Sequence, residues 1–172
     1  VNSILNLGGS AATAAYAVTS FALPRMLYGT QSLPSSSSVS HLRTRILLAI
    51  WGKSSRLRCQ EIVLGVLHES TAVDPSYAAA FRTFFLARRM LRRSRWRRIT
   101  FINSVDEILL RGINSVTAPR PAHGFIRDAN LIGVDVVVDN DEVRVTTPNG
   151  AVAFLIESQG AYLSLILKEA AR

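Results

Sequence analysis

The spacing of apolar residues changes near residue 132, and this change limits the folds open to the chain. Before it, apolar side chains recur every three or four residues, as in "VSHLRTRILLAIWG" (39–52). After it, "IGVDVVVDNDEVRVTTPNGAVAFLIE" holds three strand-like runs separated by the turn sequences "DND" and "PNG". The sequence therefore predicts an α+β fold with a helical N-terminal half, a small antiparallel β-meander and a closing helix. We expect the strands at about 132–138, 142–147 and 151–157, and the helix in "AYLSLILKEAAR".

Capping residues mark several helix boundaries in the first half. Pro24 should kink or restart the first helix, and the serine-rich run 32–40 predicts a flexible connection that also supplies N-caps. Gly52 is a natural stop for the next helix. Asp74 as N-cap and Pro75 at the first helical position predict the start of a further helix.

The helix that follows Pro75 carries aromatic and basic residues side by side. Its expected core face consists of Tyr77, Phe81, Phe84 and Phe85. We expect the helix to leave the core near residue 87 and to end in arginines. Farther on, the capping-box spacing of residues 104 and 107 predicts a helix that ends at Gly112, followed by a proline-punctuated loop over 116–124.

Charge is distributed unevenly along the chain. Residues 1–98 carry 14 basic and 3 acidic side chains, a net charge of +11, whereas residues 99–172 carry 6 basic and 9 acidic, a net charge of −3. We therefore expect two regions, a basic helical region 1–98 and a small α+β region 99–172. Such asymmetry indicates a nucleic-acid or membrane partner for the basic half.

The segment "RRMLRRSRWRR" (88–98) contains seven arginines in eleven residues, and no acidic residue lies between Asp74 and Asp106. Positive charge gathered in this way attracts phosphates. Arginine binds phosphate with a planar fork, although a GC-rich coding sequence would also favour arginine over lysine. The candidate nucleic-acid-binding residues are Lys53, Arg56, Arg58, Arg82, Arg89, Arg93, Arg95, Trp96, Arg97 and Arg98. Trp96 could stack on a base or anchor the chain to the core.

The sequence offers no complete active site. Asp135, Asp139, Asp141 and Glu142 could in principle hold Mg²⁺, but "DND" between valine-rich runs is typical of a hairpin turn. The three histidines are isolated in sequence, and Cys59 is the single cysteine. We expect no catalytic residue, no metal and no cofactor. The uncharged stretch 1–24 is too diluted by polar and small residues to predict a membrane span.

Two stretches resemble a known family. "ALPRMLYGTQ" (22–31) resembles the "LPxxLYGxE" segment that follows the catalytic palm in reverse transcriptases of non-LTR (LINE-type) retrotransposons. "LRTRILLAIWGKSSRLRCQEIVLGVLHESTAVDPSYAAAFRTFFLARRML" (42–91) is similar to the region that follows it in protist elements. The similarity covers about residues 20–95, and residues 99–172 match a connecting region only loosely. Gln31 stands where the family usually has an acidic residue.

This resemblance implies a thumb and connection region that grips the template–primer duplex through its phosphates. The family's catalytic "YxDD" motif is absent, so the palm would precede Val1 and the chain would be a fragment without polymerase activity. The parent protein would be an RNA-directed DNA polymerase. The implied partners are RNA or an RNA–DNA hybrid and the remaining domains of a parent polyprotein. We expect an intracellular location, cytoplasmic or nuclear.

Two other functions remain open from the sequence. The arginine-rich helix end could dock on an acidic protein, or on the acidic second half of this chain. Association with an anionic membrane surface is the weaker alternative.

Overall fold

A computed structural model describes residues 10–27, 36–52, 73–112 and 120–171. Its helices and strands confirm the α+β prediction, because a helical first half is followed by a three-stranded antiparallel sheet and a closing helix. The chain forms two compact units that divide between Ala79 and Ala80. The sequence instead places the boundary after residue 98, where the charge changes sign.

Three helical segments of the first unit lie within the described residues 10–27. Helix α1 spans Ala11–Ala17, a π-helical segment spans Val18–Ala22, and α2 spans Leu23–Met26. The π-helical turn immediately precedes Pro24, which has no N–H and whose ring clashes with the carbonyl four residues earlier in a regular helix. The predicted perturbation at Pro24 is therefore present as a local change of helix type.

Helix α3 spans Ser36–Trp51 and ends at Gly52, which has a positive φ of 63°. The second part of the serine-rich run thus lies in a helix and not in a connection, while residues 32–35 lie outside the described residues. The apolar positions predicted for one face of α3 are buried at Leu42, Ile46, Ala49 and Ile50.

The core of the first unit is aliphatic. Alanines of α1 pack against a buried cluster that α2 and α3 share. Its buried members are Val18, Leu23, Leu27, Leu42, Ile46, Leu47, Ile50 and Val73. Burial of such side chains contributes roughly 1.5–3 kcal/mol each, so this cluster stabilises the described part of the unit.

Helix α4 spans Pro75–Arg93 and begins as predicted. Asp74 is buried, and its Oδ1 accepts a hydrogen bond from the backbone N–H of Ser76 at 2.9 Å. Its Oδ2 forms a salt bridge with Arg43 of α3 at 2.9 Å. One carboxylate therefore caps α4 and ties it to α3 within the first unit.

The buried face of α4 differs from the predicted aromatic face. It consists of Ala80, Phe84, Ala87, Arg88 and Leu91, which recur every three or four residues. Phe85 is exposed. The prediction that the helix leaves the core near residue 87 is wrong, since its core face continues to Leu91.

Helix α5 spans Arg95–Arg111, with Ser94 as N-cap and Gly112 as C-cap. The predicted end at Gly112 is confirmed, and its φ of 83° is one that glycine adopts without strain. The predicted start near Ser104 is wrong. Ser104 lies inside the helix and donates its hydroxyl to the Thr100 carbonyl at 2.8 Å, which satisfies the hydroxyl without a helix break.

Helix α6 spans Arg120–Ile132. Within the loop predicted over 116–124, residues 120–124 are therefore helical, and residues 116–119 lie outside the described residues. Pro121 does not prevent this, because it is the second residue of the helix and the first N–H groups of a helix have no intrahelical partner.

The three predicted strands are present. Strand β1 spans Asp135–Asp139, β2 spans Glu142–Thr146 and β3 spans Val152–Phe154, paired antiparallel in the order β1-β2-β3. Asn140 and Asp141 form the two-residue turn between β1 and β2, with φ values of 48° and 60°. Positive φ at both central residues is the signature of a type I′ hairpin turn.

The closing helix α7 spans Gly160–Ala170 and packs against β3. Helices α5 and α6 both contact β1, and α5 also packs along α6. The described part of the second unit therefore places the larger part of α4, the helices α5 to α7 and one three-stranded sheet around a common core.

We expect Asp74→Ala to lower the free energy of unfolding by about 1–2 kcal/mol through loss of the N-cap. Loss of the buried salt bridge with Arg43 in the same variant should lower it further. Asp74→Asn is the matched variant, since its amide oxygen still accepts from Ser76 while the charge is lost. Urea unfolding should rank the wild type above Asp74→Asn and Asp74→Asn above Asp74→Ala. Equal stability of all three proteins would contradict the capping role.

Candidate nucleic-acid interface

The end of α4 and the start of α5 present a group of exposed arginines. These are Arg89, Arg92, Arg93, Arg95 and Arg97, here called the arginine surface. Among the residues that the structure describes, no salt bridge joins any of these five side chains to a carboxylate. Their charges therefore face solvent without acidic neighbours of the kind that a mixed-charge helix surface provides.

Ser94 separates the two helices that carry the arginine surface. Its backbone is extended, with φ −148° and ψ 119°, and its hydroxyl accepts from the Arg97 N–H at 3.5 Å. The arginine-rich end predicted for one helix is therefore divided, because α4 ends at Arg93 and a new helix begins at Arg95. As a result Arg95 and Arg97 lie in the first turn of α5.

The first turn of α5 is an unfavourable place for cations. Aligned peptide dipoles give a helix N-terminus a partial positive charge, so acidic side chains are preferred there. The first turn of α5 has no acidic residue and instead has Arg95, Arg97 and the nearby Arg98. A bound anion would relieve this repulsion and would also accept hydrogen bonds from N–H groups of the first turn.

Arg88 does not belong to the exposed surface. The residue is 8% exposed, and its Nη1 donates to the Leu155 carbonyl at 3.1 Å. Burial lowers the pKa of Arg88, the charge of Arg92 lowers it further, and the charge of Glu142 raises it. Its aliphatic stem fills the core face of α4 where the sequence led us to expect exposure.

Arg98 reaches the turn of the β1–β2 hairpin. Its Nε and Nη2 both donate to the Asp141 carbonyl, at 3.0 and 2.9 Å. The guanidinium is thus held by the backbone of the acidic C-terminal half, and only part of the residue is accessible. Arg98, one of the predicted phosphate ligands, is therefore already committed to a contact within the second unit.

Glu142 lies beside these two arginines and is buried. Its Oε1 accepts from the Ile156 N–H at 2.6 Å, and among the described residues its Oε2 has no hydrogen-bond partner. Burial raises the pKa of the Glu142 carboxyl, while the Ile156 hydrogen bond and the charge of Arg98 lower it. Glu142 therefore holds β2 to the segment after β3, and it does so as a partly desolvated acid.

The remaining predicted residues are placed as follows. Arg82 is half-buried on α4, away from the exposed group at the end of that helix. The predicted residues Lys53, Arg56 and Arg58 lie outside the described residues. The arginine surface also includes Arg92, which is not among the binding residues predicted from the sequence. Arg88 and Arg92 are four residues apart, yet only Arg88 is buried.

Trp96 is 77% exposed. Of its two predicted roles, this exposure excludes anchoring the chain to the core. The indole is thus free to contact a ligand, and it lies between the exposed Arg95 and Arg97 in sequence. No signal in the sequence could separate the two roles, because both require an aromatic residue near the end of a core-facing helix.

The acidic residues of the hairpin serve the turn. Asp139 pairs with Glu142 across it, and Asp141 occupies one of its two central positions. Within the described ranges, no group of three His, Cys, Asp or Glu side chains is arranged to hold a metal ion. None of the described helices is both long enough and apolar enough to cross a bilayer.

No protein-family model, curated protein or solved structure matches this chain.

Replacing Arg88 by methionine should destabilise the protein by about 1–3 kcal/mol, because the stem is kept but the buried Leu155 carbonyl loses its donor. Arg92→Met, one helical turn away and exposed, should change the free energy of unfolding by less than about 0.5 kcal/mol. Chemical unfolding of the two variants measures the difference. Equal midpoints would mean that Arg88 contributes no more than a solvated arginine.

The stability of the fold should depend on pH through Glu142. Because its pKa is raised in the folded state, the folded protein binds a proton more readily than the unfolded chain, whose glutamates titrate near about 4.3. The stabilisation that comes from protonated Glu142 is complete at low pH. It is lost as the pH rises through the pKa that Glu142 has in the folded protein. Glu142→Gln keeps the acceptor for Ile156 and cannot ionise.

Urea unfolding of the wild type and of Glu142→Gln across a pH series measures this effect. The free energy of unfolding of the wild type should fall relative to that of the variant as the pH rises above about 4, and then level off. A difference that rises with pH, or that stays constant, would contradict the raised pKa.

Proposed function

We propose that this chain is a non-catalytic nucleic-acid-binding segment that grips the phosphate backbone of RNA or an RNA–DNA hybrid. The arginine surface supplies the contacts. Phosphate contacts fix position without reading bases, so the expected binding is sequence-independent. Release of counterions makes such binding strongly dependent on salt.

The observation that supports this proposal most directly is the position of Arg95 and Arg97. Both are exposed in the first turn of a helix, where their charge adds to the positive end of the helix dipole. Local stability alone would favour the opposite charge there. A phosphate at this turn would be bound by the dipole, the free N–H groups and the guanidinium forks together.

The resemblance to non-LTR retrotransposon reverse transcriptases gives the proposal a biological setting. In that setting the arginine surface would belong to the thumb and connection region and would hold the template–primer. The "YxDD" motif is absent from the sequence, so polymerisation is not part of the function that we propose for this chain.

A second candidate is a protein-interaction domain with an arginine-rich docking helix. The observation in its favour is that Arg98 already binds the Asp141 carbonyl and Arg88 the Leu155 carbonyl within the second unit. Part of the arginine run therefore stabilises the fold, and the exposed part could dock on an acidic protein in the same manner.

A charge-matched pair of triple variants tests the proposal. Arg93, Arg95 and Arg97 are changed to glutamine in one protein, and the exposed Arg25, Arg45 and Arg111 in the other. Both lose the same net charge. The first should bind an RNA–DNA hybrid more weakly, and its log–log salt slope should become shallower by roughly 2, because each lost phosphate contact removes about 0.7–0.9 from the slope.

The control variant should keep nearly the wild-type affinity and salt slope. Equal losses in the two variants would show that net charge alone drives binding and would contradict a defined surface. Poly-glutamate of matched charge serves as the acidic-protein probe. Tighter binding to poly-glutamate than to the hybrid, lost in the first variant, would overturn the nucleic-acid proposal in favour of the docking helix.

A further inference from the structure

A small apolar pocket lies next to the arginine surface. Its volume is about 170 Å³, and it is formed by the end of α4, the first half of α5 and the start of α6. Met90, Trp96, Phe101 and Pro121 supply its apolar walls, and Arg97 also lines it. All of these residues belong to the second unit.

We propose that this pocket binds one unstacked base of a single-stranded nucleic acid whose phosphates lie on the arginine surface. The inference rests on the proposed function and extends it. It adds a base-binding subsite for an unpaired nucleotide, since the bases of a continuous duplex are stacked inside and cannot enter the pocket.

The size of the pocket limits its occupant. Pockets for drug-sized ligands usually measure roughly 300–1,000 Å³, and this one is well below that range. It suits a single planar ring system, or one apolar side chain. The exposed indole of Trp96 offers a flat face to such a ring, and stacking on aromatic side chains is the usual way that proteins bind bases without sequence preference.

The walls explain why little base selectivity is expected. Met90, Phe101 and Pro121 provide no hydrogen-bonding side chain, and the hydroxyls of Thr100 and Ser104 in the lining already donate to carbonyls of α5. We therefore expect the Watson–Crick edge of a base to be read little there. The contact would be made through the π-face that all bases share. This agrees with the sequence-independent phosphate contacts of the proposed function.

The charges around the pocket favour a polyanion over an uncharged apolar partner. Arg97 is part of the wall. Arg93 follows Met90 by three residues, so Met90 and Arg93 share one side of α4. A base in the pocket would therefore have its own backbone phosphates within the field of both guanidinium groups. An apolar side chain on an acidic protein is the competing occupant.

Two oligonucleotides of equal length and equal charge test the inference on the full chain. One is oligo-thymidylate, and the other is the same backbone without bases. If a base enters the pocket, the thymidylate should bind roughly tenfold more tightly than the abasic strand. Trp96→Ala should remove this advantage while leaving the salt slope of abasic binding unchanged. Ile99→Ala, an exposed apolar residue of α5 outside the pocket wall, should leave both unchanged.

A second variant fills the pocket and keeps Trp96. Thr100 is exposed on α5 and lines the pocket, so Thr100→Phe should block entry of a base without disturbing the core. In a Trp51→Phe background Trp96 is the sole tryptophan. Its fluorescence should be quenched by oligo-thymidylate and not by the abasic strand, and Thr100→Phe should abolish this quenching.

The outcomes separate the two proposals. Equal, salt-sensitive binding of both strands would overturn the base pocket and leave the phosphate grip intact. No binding of either strand in 50 mM salt, a concentration at which phosphate contacts remain strong, would overturn the proposed function itself. Displacement of oligo-thymidylate by an acidic peptide carrying one leucine, but not by the same peptide with alanine, would identify a protein as the occupant and also overturn the base pocket.

Discussion

The packing of three phenylalanines holds the arginine surface together. Phe125 of α6 is fully buried, and its ring centroid lies 4.7 Å from that of Phe84 in α4 and 5.5 Å from that of Phe101 in α5. Offset and edge-on aromatic contacts add about 0.5–1.5 kcal/mol each to the burial of the rings. Because each ring comes from a different helix, the cluster fixes where α4 ends and α5 begins. The break at Ser94 is therefore a corner with buried rings of the cluster on either side.

This corner divides the arginine run into two groups with different roles. Leu91 and Phe101 lie in the core on either side of the break, so the residues between them must project outward or reach back. Arg88 and Arg98 turn inward to backbone carbonyls, where a hydrogen bond offsets the cost of removing the guanidinium from water. The other arginines face solvent. The arginine run looks uniform in the sequence. In the structure some of its arginines stabilise the fold and the others form an exposed surface.

Helical backbone on both sides of this corner also makes the exposed group better suited to binding. Long arginine side chains lose rotamer freedom on binding, and this loss is smaller when the backbone that carries them is already ordered. In the free protein the exposed arginines repel one another and the positive end of the α5 dipole. An anion that binds there reduces this repulsion, and the relief adds to its affinity. The pocket beside Trp96 lies at the same corner, which is why phosphate binding and base binding would be coupled there.

The sequence by itself determined the local structure: the meander and its turns, the cap at Asp74 and the stop at Gly112. Each depends on neighbours in the chain, namely the alternation of apolar residues, turn chemistry and the free N–H groups of a first helical turn. It also indicated where positive charge gathers. Only the tertiary structure decided which arginines are free. Arg88 and Arg92 occupy equivalent positions one turn apart, and burial of the first depends on a carbonyl 67 residues away in sequence, a contact that no local pattern encodes.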